Sequence, residues 1–198
     1  MAVSISYYIK LSPYVLMSLL YLLPLSIPAS SIVEKIEWIR SEYKKIRTNL
    51  KTFHKYEYSF SGESAEGADA IGYIADFDRI KLIEVTYFGE MGKSYFEFYY
   101  SNKNTFFILE KKFTYNTHIS MTQDLVEEWN KEDEAEYEAF DPNKTKVEEW
   151  RYYFTRNEIL KTIGPNKDLV TDPSNAKLAL ASSISNYKMI EVQLHSNR

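Results

Sequence analysis

The chain has 198 residues, a formal net charge of −4, 44% hydrophobic and 16% aromatic residues, and no cysteine. Without cysteine there is no disulfide framework, no thiolate ligand and no lipid-modified cysteine, so the fold must rest on its apolar core. The charge is uneven: Asp124 to Glu149 holds 11 acidic residues against Lys131, Lys144 and Lys146, and nowhere do basic residues and aromatics concentrate as a nucleic-acid-binding face requires.

From Leu11 to Ile27 the chain carries no charge and is dominated by leucine. Lys10 precedes this stretch and the small-residue run Ser26-Ile27-Pro28-Ala29-Ser30-Ser31 follows it, which is the layout of a secretory signal. A 17-residue span interrupted by Pro13 and Pro24 is short for a bilayer helix, which favours removal over anchoring. The sequence therefore predicts a signal peptide over residues 1–29, cleavage after Ala29 and one exported domain over 30–198, periplasmic or extracellular. The membrane is met only through the signal segment, and only if that segment is retained.

Ile32, Ile36, Ile39, Tyr43, Ile46 and Leu50 alternate spacings of four and three, the apolar stripe of an amphipathic helix. Beyond Phe53 the pattern becomes short runs of Tyr, Phe, Ile and Val separated by Gly, Asn and Asp, which predicts hairpin-connected strands. Strands are expected over 55–60, 70–75, 80–88, 94–100, 105–115, 149–154 and 159–163. Gly89-Glu90-Met91-Gly92-Lys93 lacks the spacing and following helix of a phosphate loop, and reads as a hairpin turn with Gly89 or Gly92 at positive φ.

The segment Tyr99 to Phe107 aligns without gaps on Tyr152 to Leu160, with a looser copy over Tyr73 to Lys81. Each is an aromatic strand end, a polar turn with Asn or Asp suited to the left-handed backbone region, and a new strand. An acidic insertion at about 122–146 carries a short helix around Asp124 to Glu136. Asp172-Pro173-Ser174 then opens a C-terminal helix through Ala176, Ala179, Leu180, Ile184 and Tyr187.

No catalytic, cofactor-binding or metal-binding constellation emerges, and no cofactor is expected. His54, His118 and His195 are far apart, and no serine sits in a Gly-x-Ser-x-Gly frame. The remaining signal is the 31 aromatic residues, concentrated in strands. Phe96, Phe98 and Tyr100 share one strand face while Tyr95 and Tyr99 share the other, so both faces of the sheet need a cover. Phe96, Phe98, Tyr100, Tyr152 and Phe154 form the candidate binding face.

The runs Ile39-Arg40-Ser41-Glu42-Tyr43-Lys44-Lys45-Ile46, Gly89-Glu90-Met91-Gly92-Lys93-Ser94, Glu97-Phe98-Tyr99-Tyr100 and Arg151-Tyr152-Tyr153-Phe154 together resemble exported proteins of Gram-negative bacteria to which no activity is assigned. The resemblance covers roughly Val33 to Gly164 and implies a periplasmic or surface location. In layout alone, a signal, a helix and an antiparallel sheet are also similar to the half-barrel lipoprotein carriers.

The expected fold is α+β, a curved antiparallel β-meander packed on an N-terminal helix and closed by a C-terminal helix. The expected function is non-enzymatic binding of a protein or an apolar ligand through the aromatic face, with no nucleic-acid partner. The alternatives are a cell-envelope hydrolase using two converging Glu or Asp carboxylates, and a structural or inhibitor-like interaction protein.

Overall fold

Seven antiparallel strands form one sheet in the order β1-β2-β3-β4-β5-β6-β7, so neighbours in space are neighbours in sequence. The computed structural model describes residues 31–60, 66–76, 78–132, 136–156 and 158–196. The expected signal segment over 1–29 lies outside the described residues. The strands are β1 His54–Phe60, β2 Ala68–Ala75, β3 Arg79–Gly89, β4 Gly92–Ser101, β5 Asn104–Thr114, β6 Lys146–Thr155 and β7 Glu158–Ile163. Among the described residues three α-helices accompany them: α1 Ile32–Thr48, α2 Gln123–Glu132 and α3 Ser174–Ser196. The sheet curls without closing, which is the α+β meander that the patterning predicts.

Cross-strand register sorts the side chains into two cores. On one face Tyr73, Leu82, Tyr99, Phe107 and Tyr153 form a row beneath α1, which buries Ile39 and Ile46 against them. Burying each isoleucine contributes roughly 1.5–3 kcal/mol, and the stripe spacing delivers both to the same side of the helix. Tyr43 adds ring contacts to Tyr99 at 5.0 Å and to Phe107 at 5.6 Å between centroids.

The opposite face belongs to α3. Its buried residues Ala176, Ala179, Ser183, Asn186, Tyr187 and Ile190 recur at helical spacing. Small residues on β2 let the helix come close: a Cβ built on Gly72 would lie 2.7 Å from the Ile190 Cδ1 atom. Hydroxyls then fix the helix in place. Tyr100 donates to the Ser183 carbonyl at 2.9 Å, the Asn186 amide donates to the Tyr87 hydroxyl at 3.0 Å, and Tyr56 donates to the Gln193 side chain at 2.9 Å. Tyrosine thereby supplies apolar area and a satisfied polar tip from one side chain. At the helix start the Asp172 carboxylate accepts from the Ser174 N–H at 2.9 Å and the Ser174 hydroxyl at 2.7 Å, as the sequence signal predicts.

The three similar segments are hairpins with a common device. Register slips opposite Tyr73 of β2, Tyr99 of β4 and Tyr153 of β6, where the partner strands β3, β5 and β7 carry Lys81, Phe106 and Leu160 as extra residues, and each of these tyrosines faces α1 while the next residue faces α3. A bulge of this kind sets two residues of one strand against one of its partner, so that on β3 Leu82 faces α1 while Ile80, two positions away, faces α3. The gapless alignment is corrected by one residue in its last copy, because Tyr153 and not Tyr152 occupies the position of Tyr99. Asn102 and Lys103 close β4–β5 with φ of 48° and 65°, Arg156 has φ of 49°, and Asp78 has φ of 54°. Left-handed turn chemistry thus holds at these hairpins, although basic residues share it with Asn and Asp.

Neither Gly89 nor Gly92 takes positive φ; among the described glycines only Gly67 does. Gly92 is required for a different reason, since its Cβ would sit 2.1 Å from the Phe113 carbonyl oxygen on the neighbouring strand. The acidic insertion is tied to this end of the sheet. Ile119 donates from its N–H to the Glu90 carbonyl at 2.9 Å, His118 meets Glu90 at 2.9 Å, and the Asn116 side chain bonds the backbone of Ala139 and Asp141.

Candidate functional site

Four residues of the expected binding face are core residues: Phe98, Phe154 and Tyr152 are 0% exposed and Tyr100 is 1% exposed, all under α3. Phe96 is half-buried, because α3 begins over its neighbours and leaves the far end of this face open. The aromatic face therefore has a covered region, which holds α3, and an open region that lies a row further along the strands.

Register defines that open region. Phe96, Glu110 and Trp150 form one cross-strand row, and Ser94, Lys112 and Glu148 form the next. Tyr87 flanks them on β3, and Asn175, Leu178 and Ser182 overhang from the first turns of α3. The result is a groove of about 430 Å³. Its aromatic wall continues the core stacking: Phe96 lies parallel to Phe98 with centroids 5.3 Å apart, and Trp150 lies parallel to Tyr152 at 6.3 Å. Leu178 stands over this wall at 71% exposure.

Three charged side chains, Glu110, Lys112 and Glu148, line the groove, and Glu110 stands in the same row as the aromatic wall. Burial holds its carboxyl above the ordinary carboxylate value, opposed by the Tyr152 hydroxyl and the Lys112 charge and reinforced by Glu148. Tyr152 donates to the Glu110 carboxylate at 2.6 Å, and its own hydroxyl is pushed well up by burial and then by this bond. Glu148 lies diagonally across the strand pair from Glu110, which places the two backbones on the order of 7 Å apart by sheet geometry.

A second polar cluster lies on the α1 face. Glu97, 5% exposed, accepts from Tyr95 at 3.0 Å and from Tyr99 at 2.5 Å. Arg47 reaches down from the last turn of α1 to Glu84 at 3.3 Å and Glu97 at 3.6 Å, while Tyr73 donates to Glu84 at 2.9 Å. The tyrosine hydroxyls of this cluster are all raised above their ordinary value, by burial first and then by the adjoining carboxylates. Among the described residues no buried side-chain nitrogen or oxygen lacks a hydrogen-bond partner, so the cluster works as a satisfied joint between helix and sheet.

Sequence reasoning missed Tyr87, Glu110, Trp150 and Leu178. Strand alternation could have placed Trp150 with Tyr152 and Glu110 with Ile108, but no spacing rule connects residues 87, 110, 150 and 178. Among the described residues no three His, Asp or Glu side chains gather to hold a metal ion, and no helix is long and apolar enough to cross a membrane. Comparison with protein-family models, with curated proteins and with solved structures finds no match for the chain.

Proposed function

We propose that the protein is an exported, non-enzymatic binding module that takes an apolar ligand, or the apolar anchor of a protein partner, in the groove at the open end of the α3 face. The observation that carries this reading is the stacked aromatic wall of Phe96 and Trp150, which runs out of the core into a groove and ends beneath the exposed Leu178. Small-ligand sites combine an apolar surface with a few placed polar groups, and this groove sets Tyr87, Phe96, Trp150, Leu178 and Ala179 against a charged rim of Glu110, Lys112 and Glu148. Export rests on the uncharged leucine-rich stretch Leu11 to Ile27.

The test is native mass spectrometry of the protein taken gently from the envelope fraction of its host, beside the Phe96→Ala and Trp150→Ala variants. A bound apolar species on the parent that both variants lose supports the reading, and its mass identifies the chemistry. An adduct that both variants retain overturns this placement of the site, and a parent that carries no adduct and captures no partner overturns the binding reading itself. The same spectrum reads the N-terminus, and a mature chain starting at Ser30 is the expected product.

One observation favours a second reading. Glu110 has a raised carboxyl and shares its groove with Glu148, the environment of an acid and base pair in glycoside hydrolysis. Turnover of chromogenic glycosides that is abolished in Glu110→Gln would replace the binding reading with that one.

A further inference from the structure

On the α1 side of the sheet the helix packs on the row Tyr73, Leu82, Tyr99, Phe107 and Tyr153 and reaches Glu84 and Glu97 of the next through Arg47, leaving space beside it over Leu109, Lys111 and Arg151. The open space is a cleft of about 490 Å³, within the size range of small-ligand sites. Its floor is apolar, made by Ile39, Tyr43, Phe107 and Leu109. Its rims are cationic, with Arg40 and Arg47 on the helix and Lys111 and Arg151 on the strands.

Four cations face two carboxylates in a chain whose net charge is −4. Both carboxylates are already engaged. Glu149 is held by Arg151 at 2.5 Å and Lys111 at 3.9 Å, and Glu97 by two tyrosine hydroxyls and Arg47. Counting Glu84, which shares Arg47 at 3.3 Å, still leaves one cation in excess. Arg40 makes no ion pair among the described residues, and the Arg151 side chain remains 48% exposed.

We infer that this cleft binds a small amphipathic anion, with a hydrocarbon or aromatic body on the floor and a carboxylate, sulfonate or phosphate head against Arg40 and Arg151. A neutral apolar molecule leaves Arg40 with water alone and adds nothing to the exposed side of Arg151, whereas an anionic head gains charge-assisted hydrogen bonds from the planar guanidinium groups. The site is separate from the groove under Leu178, since the sheet lies between them, and the two proposals fail independently.

The test compares two probes with the same aromatic body, 8-anilinonaphthalene-1-sulfonate and the neutral N-phenyl-1-naphthylamine, by fluorescence titration of the whole mature chain. The expected result is saturable binding of the sulfonate about tenfold tighter than the neutral probe, weakened by added salt. Arg40→Gln combined with Arg151→Gln should abolish that preference, Arg40→Lys with Arg151→Lys should keep most of it, and Lys177→Gln, which removes one charge from α3 on the opposite side of the sheet, should leave it unchanged. Equal affinity for the two probes, an undiminished preference in the double glutamine variant, or loss of the preference in Lys177→Gln each overturns the assignment. Far-ultraviolet circular dichroism and the melting temperature confirm that each variant is folded; both substituted arginines project from the surface.

Discussion

Replacing Glu97 by leucine puts the joint between α1 and the sheet to the test. The carboxylate is 5% exposed and accepts from Tyr99, itself 0% exposed, at 2.5 Å. Hydrogen bonds to a charged acceptor contribute about 1.5–3 kcal/mol, and a hydroxyl left buried without an acceptor costs about 1–3 kcal/mol. The Tyr95 bond adds less because that ring is half-buried. Arg47 adds little, since its side chain is 37% exposed and keeps Glu84 at 3.3 Å. Against these losses leucine gains apolar burial of about 1 kcal/mol. The net loss is about 3 kcal/mol, read as a fall in the urea midpoint of roughly 1–2 M at unchanged slope. Tyr99→Phe alone should lose about 1.5 kcal/mol, and the double variant Glu97→Leu with Tyr99→Phe should fall short of the sum by about 1 kcal/mol or more, because it removes donor and acceptor together. A Glu97→Leu protein within about 0.5 kcal/mol of the parent, or strict additivity in the cycle, would refute the reasoning.

Gly92→Ala should destabilise severely, by about 3 kcal/mol or more, because its methyl meets the Phe113 carbonyl oxygen at 2.1 Å, whereas Gly89→Ala meets the Gly92 oxygen at 3.3 Å and should cost under about 1 kcal/mol; thermal melts of the two variants make the comparison. Two groups give pH dependence of the same sign. Tyr73 is raised from 10.0 to about 12, so the fold retains its proton longer than the unfolded chain does; the stability this contributes is complete below pH 10, is lost as pH rises toward 12, and its loss flattens in Tyr73→Phe. Glu110 is raised from 4.5, so its contribution is complete below that pH and lost above its folded value; Glu110→Gln should therefore raise the melting temperature at pH 7 and leave it unchanged at pH 4.

The strands were legible because each carries alternating apolar residues between turn signals, and all seven lie where the pattern put them to within a few residues. The stripe from Ile36 to Ile46 likewise named the face of α1 that is buried. Local signals failed where a residue's role depends on another strand. Gly92 reads as a turn glycine, yet what excludes a side chain is the backbone of Phe113, 21 positions along and adjacent only through pairing. The third hairpin aligns one residue off because Tyr152 and Tyr153 are chemically identical, and only the pairing of Tyr153 with Phe107 tells which faces α1.

The candidate site divides in the same way. Aromatic alternation determined that Phe96, Phe98 and Tyr100 share a face, since strand geometry allows nothing else over so short a span. How much of that face stays open was decided by α3, whose close approach over Gly72 and hydroxyl bonds from Tyr56, Tyr87 and Tyr100 bury one end and spare the other. Glu110 became a polar group of a groove, and Arg40 and Arg151 the rims of a cleft, only when tertiary packing laid elements of distant sequence side by side. Periodicity is a property of neighbours along the chain, so the sequence determined the elements and their apolar faces. Which residues share a cavity depends on contacts across the sheet and on where each helix stops, and those were settled by the tertiary structure.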